Sequence, residues 1–198
     1  KRLIMKFSIA GTGNMAWFLA HRLIMSGHQC LAVFGRDKAK AEELATSVNS
    51  TVTSDPSDIK RLQQEAVILA VADHAIGEVA AALASKNTVL IHTSGATEIS
   101  VLEVSQAYGV IWPVYSILKH QMPRHRDIPC GIDASDAHTL SIVRNLAHGF
   151  SDNVFEADDL QRQWLHLAAV IGNNFVNHLM AIDEMICDNQ SLPFSVLQ

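Results

Sequence analysis

Gly11-Thr12-Gly13-Asn14-Met15-Ala16 is the stretch whose residue types and spacing speak most directly of chemistry. A short apolar run, Phe7 to Ala10, leads into it, and helix-forming sequence from Met15 to Met25 follows at once. Strand, tight turn and helix N-terminus in that order make the phosphate-holding corner of a dinucleotide site. Gly11 allows the sharp turn, and Gly13 keeps a Cβ out of the path of a pyrophosphate. Ala16 stands where a third small residue lets the helix pack closely on the strand. Thr12, Asn14 and Met15 then bring free N–H groups and the positive end of the helix dipole to the phosphates.

The tip of the second apolar run, Gln29 to Phe34, carries the next signal: Gly35-Arg36-Asp37-Lys38-Ala39-Lys40. A site for NAD wants an acid here, about 20 residues beyond the glycine turn, to bond the ribose 2′-hydroxyl. The tip in this chain is Gly35-Arg36 instead. Arginine can stack on adenine and pair with a 2′-phosphate through its planar fork of donors. Lys40, one helical turn on, adds a second positive charge, so the expected cofactor is NADP. The plainer alternative is a solvated basic helix start with Asp37 as its N-cap.

Three further strand ends matter, because ligands of such folds bind at the carboxyl edge of the sheet. Ala70-Val71-Ala72-Asp73 closes one strand, with Val71 and Ala72 expected at the cofactor and Asp73 read as a helix N-cap. His92-Thr93-Ser94-Gly95-Ala96 closes the next; Ser94 is either a cap or a hydroxyl presented to the nicotinamide. Trp112-Pro113-Val114-Tyr115 closes the last, and its aromatics read as core or as the wall of a pocket. A second polar constellation lies later, where His166, Asn173 and Asn177 share one helical face amid apolar residues. Such groups are costly to bury without partners. They are satisfied core amides, a polar subunit contact, or a row facing the substrate. In the last case Asn orients a carbonyl and His moves a proton near neutral pH. The ten histidines form no metal-ligand spacing, and Ser94 has no nucleophile-elbow context, so no metal and no serine hydrolase is expected.

The elements that must hold these residues alternate along the chain. Phe7–Ala10, Leu31–Phe34, Val67–Val71 and Val89–His92 read as short buried parallel strands, with 51–53 and 110–112 as weaker ones. Helices are expected over 15–25, 38–48, 75–84 and 99–106, and Asp55-Pro56 reads as a helix start. This is the alternation of an α/β, Rossmann-type, doubly wound and mainly parallel sheet. Strands at 128–133 and 153–156 around a helix at 136–147 follow, then one long helix from Asp158 to Ile186. The expected division is a nucleotide-binding domain over 1–157 and the start of a helical domain over 158–198. With 48% hydrophobic residues in 198 and a net charge of −5 without a basic block, the chain can build a sizeable core and is a poor match for nucleic acid. No continuous apolar run approaches the roughly 18 residues of a membrane span, and the start passes straight into the first strand without a leader. Cys30, Cys130 and Cys187 read as free thiols of a reducing, cytoplasmic compartment.

With those residues in hand, the chain resembles the Rossmann-like proteins that carry a DUF2520 C-terminal domain. The resemblance rests on GTGNMA (11–16), FGRDKAK (34–40), ILAVADHAI (68–76), HTSGA (92–96) and HLAAVIGNNFVNHL (166–179). The wider group of NADP oxidoreductases includes pyrroline-5-carboxylate reductase and F420-dependent NADP reductases. The resemblance implies NADP binding and a helical C-terminal domain that pairs subunits as a homodimer, incomplete at Gln198. Two positions depart from the group's pattern: Trp112-Pro113 stands where relatives often have His-Pro, and no Lys follows Lys119. The expected activity is hydride transfer to or from a small carbonyl or imine substrate, with Ser94, His166, Asn173 and Asn177 at the reacting end. The alternative is an NADP-binding sensor or scaffold without turnover.

Overall fold

The structure, a computed structural model, describes residues 3–197. Eight strands form one sheet in the order β3-β2-β1-β4-β5-β6-β7-β8. They are β1 Lys6–Ala10, β2 Gln29–Phe34, β3 Thr51–Thr53, β4 Ala66–Leu69, β5 Val89–His92, β6 Tyr108–Pro113, β7 Cys130–Ala134 and β8 Val154–Glu156. All neighbours are parallel except β6 and β7, which pair antiparallel. The helices are α1 Asn14–Met25, α2 Lys38–Ser47, α3 Pro56–Arg61, α4 Ile76–Leu83, α5 Ala137–Ala147, α6 Asp159–Ala169 and α7 Val176–Asn189.

The central strands read as nearly unbroken apolar runs because both of their faces are buried. Phe7 and Ile9 of β1, Ile68 of β4 and Ile91 of β5 point into a core shared with α1, α2 and α5. Ala10, Val67, Leu69 and Leu90 alternate with them into a second core shared with α3 and α4. The two-residue side-chain period thus feeds one helical layer on each side of the sheet. The carboxyl ends of β1, β2, β4, β5 and β6 meet along one edge.

Several expectations are corrected. The segment after β5 forms only a single 3-10 turn, Ile99–Leu102, and not a helix to Gln106. Five of the eight residues over 99–106, Ile99, Ser100, Val101, Val104 and Ser105, are β-branched or Ser, types of only middling helix propensity. Strand β4 stops at Leu69, short of Val71. Asp73 does not cap α4; it opens a 3-10 turn, Asp73–Ala75, and α4 has no side-chain cap. The long C-terminal helix is continuous from Asp159 to Asn189, but Val170–Phe175 is wound as a π-helix.

Candidate active site

The glycine turn sits where β1, β2 and β4 end together. The Gly11 N–H donates to the Phe34 carbonyl at 2.9 Å, and the Ala70 N–H donates to the Ala10 carbonyl at 2.8 Å. Gly11 has φ +123°, and a Cβ there would lie 2.7 Å from the Ala70 carbonyl carbon, so only glycine fits. Gly13 differs in kind. It is the N-cap of α1, no side chain caps that helix, and a Cβ on Gly13 would meet nothing within 4 Å. An uncapped helix N-terminus facing open space fits an anionic pyrophosphate.

A groove of about 470 Å³ opens over this turn. Gly11, Thr12 and Gly13 of the turn and Asn14 and Met15 of α1 line it, with Gly35 and Arg36 from just beyond β2, Val71 and Ala72 from just beyond β4, and Thr93 from just beyond β5. Arg36 is exposed and, among the described residues, has no ion-pair partner. Ala16 is fully buried beneath the turn, where it packs and does not line. Lys40 stands off the groove, contrary to expectation. Asp37 caps α2 through the Lys40 N–H, and its carboxylate also holds the Lys40 Nζ at 3.2 Å. The backbone and side-chain bonds to Lys40 hold the Asp37 carboxyl below its ordinary range.

A second cavity of about 570 Å³ lies along the same sheet edge, between the end of β6 and the long helix. Trp112 to Ser116 form one wall, and His166, Asn173 and Asn174 stand on the other. The His166 ring meets Trp112 edge to face, with centroids 5.9 Å apart. Asn173 Nδ2 donates to Ser116 Oγ at 3.1 Å, and Asn177 Nδ2 donates to Asn173 Oδ1 at 3.0 Å. Asn177 is therefore joined to the cavity through Asn173 and is not itself in the lining. The π-helix widens the turn at Gly172, so that Asn173 and Asn174, adjacent in sequence, both reach the cavity.

Ser94 lines neither space. Its Oγ accepts the Ala96 and Thr97 N–H groups at 3.1 and 3.0 Å, so the hydroxyl shapes the turn after β5, and Thr93 faces the groove in its place. Gly95 in that turn packs flat on Trp112: a Cβ would come 2.7 Å from Cζ2. The strap after β6 ties the two spaces together. The Lys119 N–H donates to Asn14 Oδ1 at 3.1 Å, and its Nζ pairs with Glu43 at 2.7 Å and lies 4.1 Å above the Trp17 ring.

Two groups escaped the sequence reading. Arg162 is completely buried and ion-pairs Asp133 of β7 and Asp159 of α6. His92, at the end of β5, is buried; loss of solvent, and then the charge of Arg162, hold its imidazole down to about 4. The only sequence hint of this network is the Asp158-to-Arg162 helix start, which reads equally as a solvated capping box.

Residues 6–95 match the family model described as NADP oxidoreductase, coenzyme F420-dependent, and residues 128–198 match the domain of unknown function DUF2520. No curated protein matches the chain. Among solved structures, a Bacteroides fragilis protein described as an NADP oxidoreductase is 29% identical, with a TM-score of 0.86 over 98% of this chain and 76% of its own. A Thermotoga maritima protein is 25% identical, with a TM-score of 0.72 over 94% of this chain and 71% of its own. The fold is shared with pyrroline-5-carboxylate reductase from Streptococcus pyogenes, 17% identical, with a TM-score of 0.74 over 97% of this chain and 73% of that one. The glycine turn and the sheet order make this a Rossmann-type fold, in which residues 6–95 are similar to the NADP oxidoreductases and residues 128–198 to the DUF2520 domain.

Proposed function

We propose that the protein binds NADP(H) in the glycine-turn groove and transfers hydride between the nicotinamide and a small carbonyl or imine substrate held in the Trp112–His166 cavity. The observation that carries the reading is the juxtaposition along one sheet edge of an open, uncapped α1 N-terminus, a free Arg36, and a cavity lined by His166 and Asn173. The α1 N–H groups would hold the pyrophosphate, and Arg36 the adenosine end with its 2′-phosphate. When bound, the cofactor supplies the hydride chemistry.

The chain's own residues do the rest. Trp112 and Pro113 give a flat apolar wall that keeps water from one side of the substrate. Asn173, its amide fixed by Ser116 and Asn177, orients the polar group of the substrate. His166, partly exposed to the cavity, is the group suited to give or take the proton on the carbonyl oxygen or imine nitrogen. Ser94 contributes through the backbone turn that it caps. NADPH oxidation followed against ketoacids, ketones and cyclic imines tests the proposal. Turnover that is lost in His166→Gln supports it; tight NADPH binding with no turnover on any of these would favour a sensing or scaffold role.

A further inference from the structure

We infer that Arg162 is a positioning residue: it fixes His166 against Trp112 by clamping the start of the long helix to the loop after β5. The guanidinium reaches four segments at once. Nη1 donates to Asp133 Oδ2 of β7 and to the Ala157 carbonyl, both at 3.1 Å. Nη2 donates to Asp159 Oδ1 on its own helix and to the Thr97 carbonyl at 3.3 Å. Asp159 Oδ1 also accepts the Ile99 N–H at 2.9 Å, so the same carboxylate grips the loop a second time.

Both ends of the stack at the cavity leave this clamp. Gly95, which packs on Trp112, lies two residues before Thr97. His166, which meets Trp112 edge to face, lies one helical turn after Arg162 on the same side of α6. A shift of α6 relative to the loop would therefore move the imidazole off the indole. The chemistry of the clamp argues for placement rather than bulk stability. Arg162 is fully buried while Asp133 and Asp159 keep part of their surface in solvent, and burying such a charge often packs no more stably than an apolar side chain of the same volume. What arginine adds is a rigid fork whose donors satisfy several acceptors in one fixed geometry, and lysine cannot reproduce it. Arg162 Nε has no hydrogen-bond partner among the described residues, so the two Nη groups set the orientation.

The functional meaning of this inference rests on the proposed reaction site, but its test does not need turnover. The imidazole protons of His166, identified by their loss in His166→Gln, are observed by NMR in the full chain, in Arg162→Met and in Arg162→Lys. Expected is a loss of the ring-current displacement that Trp112 imposes on these protons, in both variants, with native far-UV circular dichroism and unchanged NADPH affinity. Arg162→Lys keeps the charge and so separates placement from charge alone. Unmoved His166 resonances in either folded variant would overturn the inference. So would unfolding of both variants, which would make Arg162 a residue of general stability. Absence of turnover in the unmodified protein would count against the proposed reaction and leave the positioning result standing.

Discussion

Arg36 and Lys40 are both basic and one helical turn apart, yet their neighbours leave them different freedoms. Asp37 caps α2 and pairs with the Lys40 Nζ at the surface, while Arg36 has no such partner among the described residues and lines the groove. Arg36→Ala should weaken NADPH binding by about 1.5–3 kcal/mol, the scale of a hydrogen bond to a charged group, and leave NADH almost unchanged. Lys40→Ala should alter NADPH affinity by less than about 0.5 kcal/mol, as an exposed substitution away from the ligand does. Calorimetric titration of both variants checks the pair. The two glycines separate in the same way. Gly13→Val should fold and lose the cofactor, because its side chain enters only open space; Gly11→Val should fail to fold, because its side chain enters the Ala70 carbonyl. Thermal melts and NADPH titration distinguish these outcomes. That the glycines and Arg36 stand at one groove, and His166 and Asn173 at one cavity, was legible from residue type and local spacing. The fates of Ser94 and Arg162 were not: Ser94 spends its hydroxyl on its own turn, and Arg162 meets partners 29 and 65 residues away.

At the scale of elements, β5 ends in a buried imidazole that feels the charge of the buried Arg162 guanidinium on α6. His92 stays neutral because desolvation and Arg162 lower its affinity for a proton from the ordinary 6.5 to about 4. Between those two values the unfolded chain binds the proton and the folded chain does not. Stability therefore falls as pH drops from 6.5 to about 4, by on the order of 3 kcal/mol at full extent, and levels below that. His92→Asn, which keeps an acceptor for the Ser94 N–H, should flatten this part of the stability profile. Urea unfolding at intervals from pH 7 to pH 4 measures the slope; equal slopes in both proteins would contradict the account. The strands were readable in sequence because a parallel sheet buried on both faces demands short apolar runs. The π segment was not, since the 3.6-residue pattern continues through Val170–Phe175 and only the winding changes.

At the scale of the molecule, the helix from Asp159 to Asn189 leaves Leu160, Trp164, Ile171, Phe175, Leu179 and Ile186 exposed. By length and composition alone it could cross a membrane, with a mean hydropathy of 1.2 in its most apolar window. Its first turns are pinned to the sheet by Arg162, and its polar row turns to a cavity, which suits a protein partner better. We propose that a second copy covers this face. Light scattering should then give twice the monomer mass, and Leu179→Glu should give the monomer. A monomeric unmodified chain would contradict that proposal. The proposed function stands or falls with nucleotide binding in the glycine-turn groove. Calorimetric titration of the unmodified protein with NADPH and with NADH tests it most directly. NADPH should bind at least about tenfold more tightly, a difference of about 1.4 kcal/mol, through the free Arg36. Equal affinities, or no binding of either nucleotide, would contradict it.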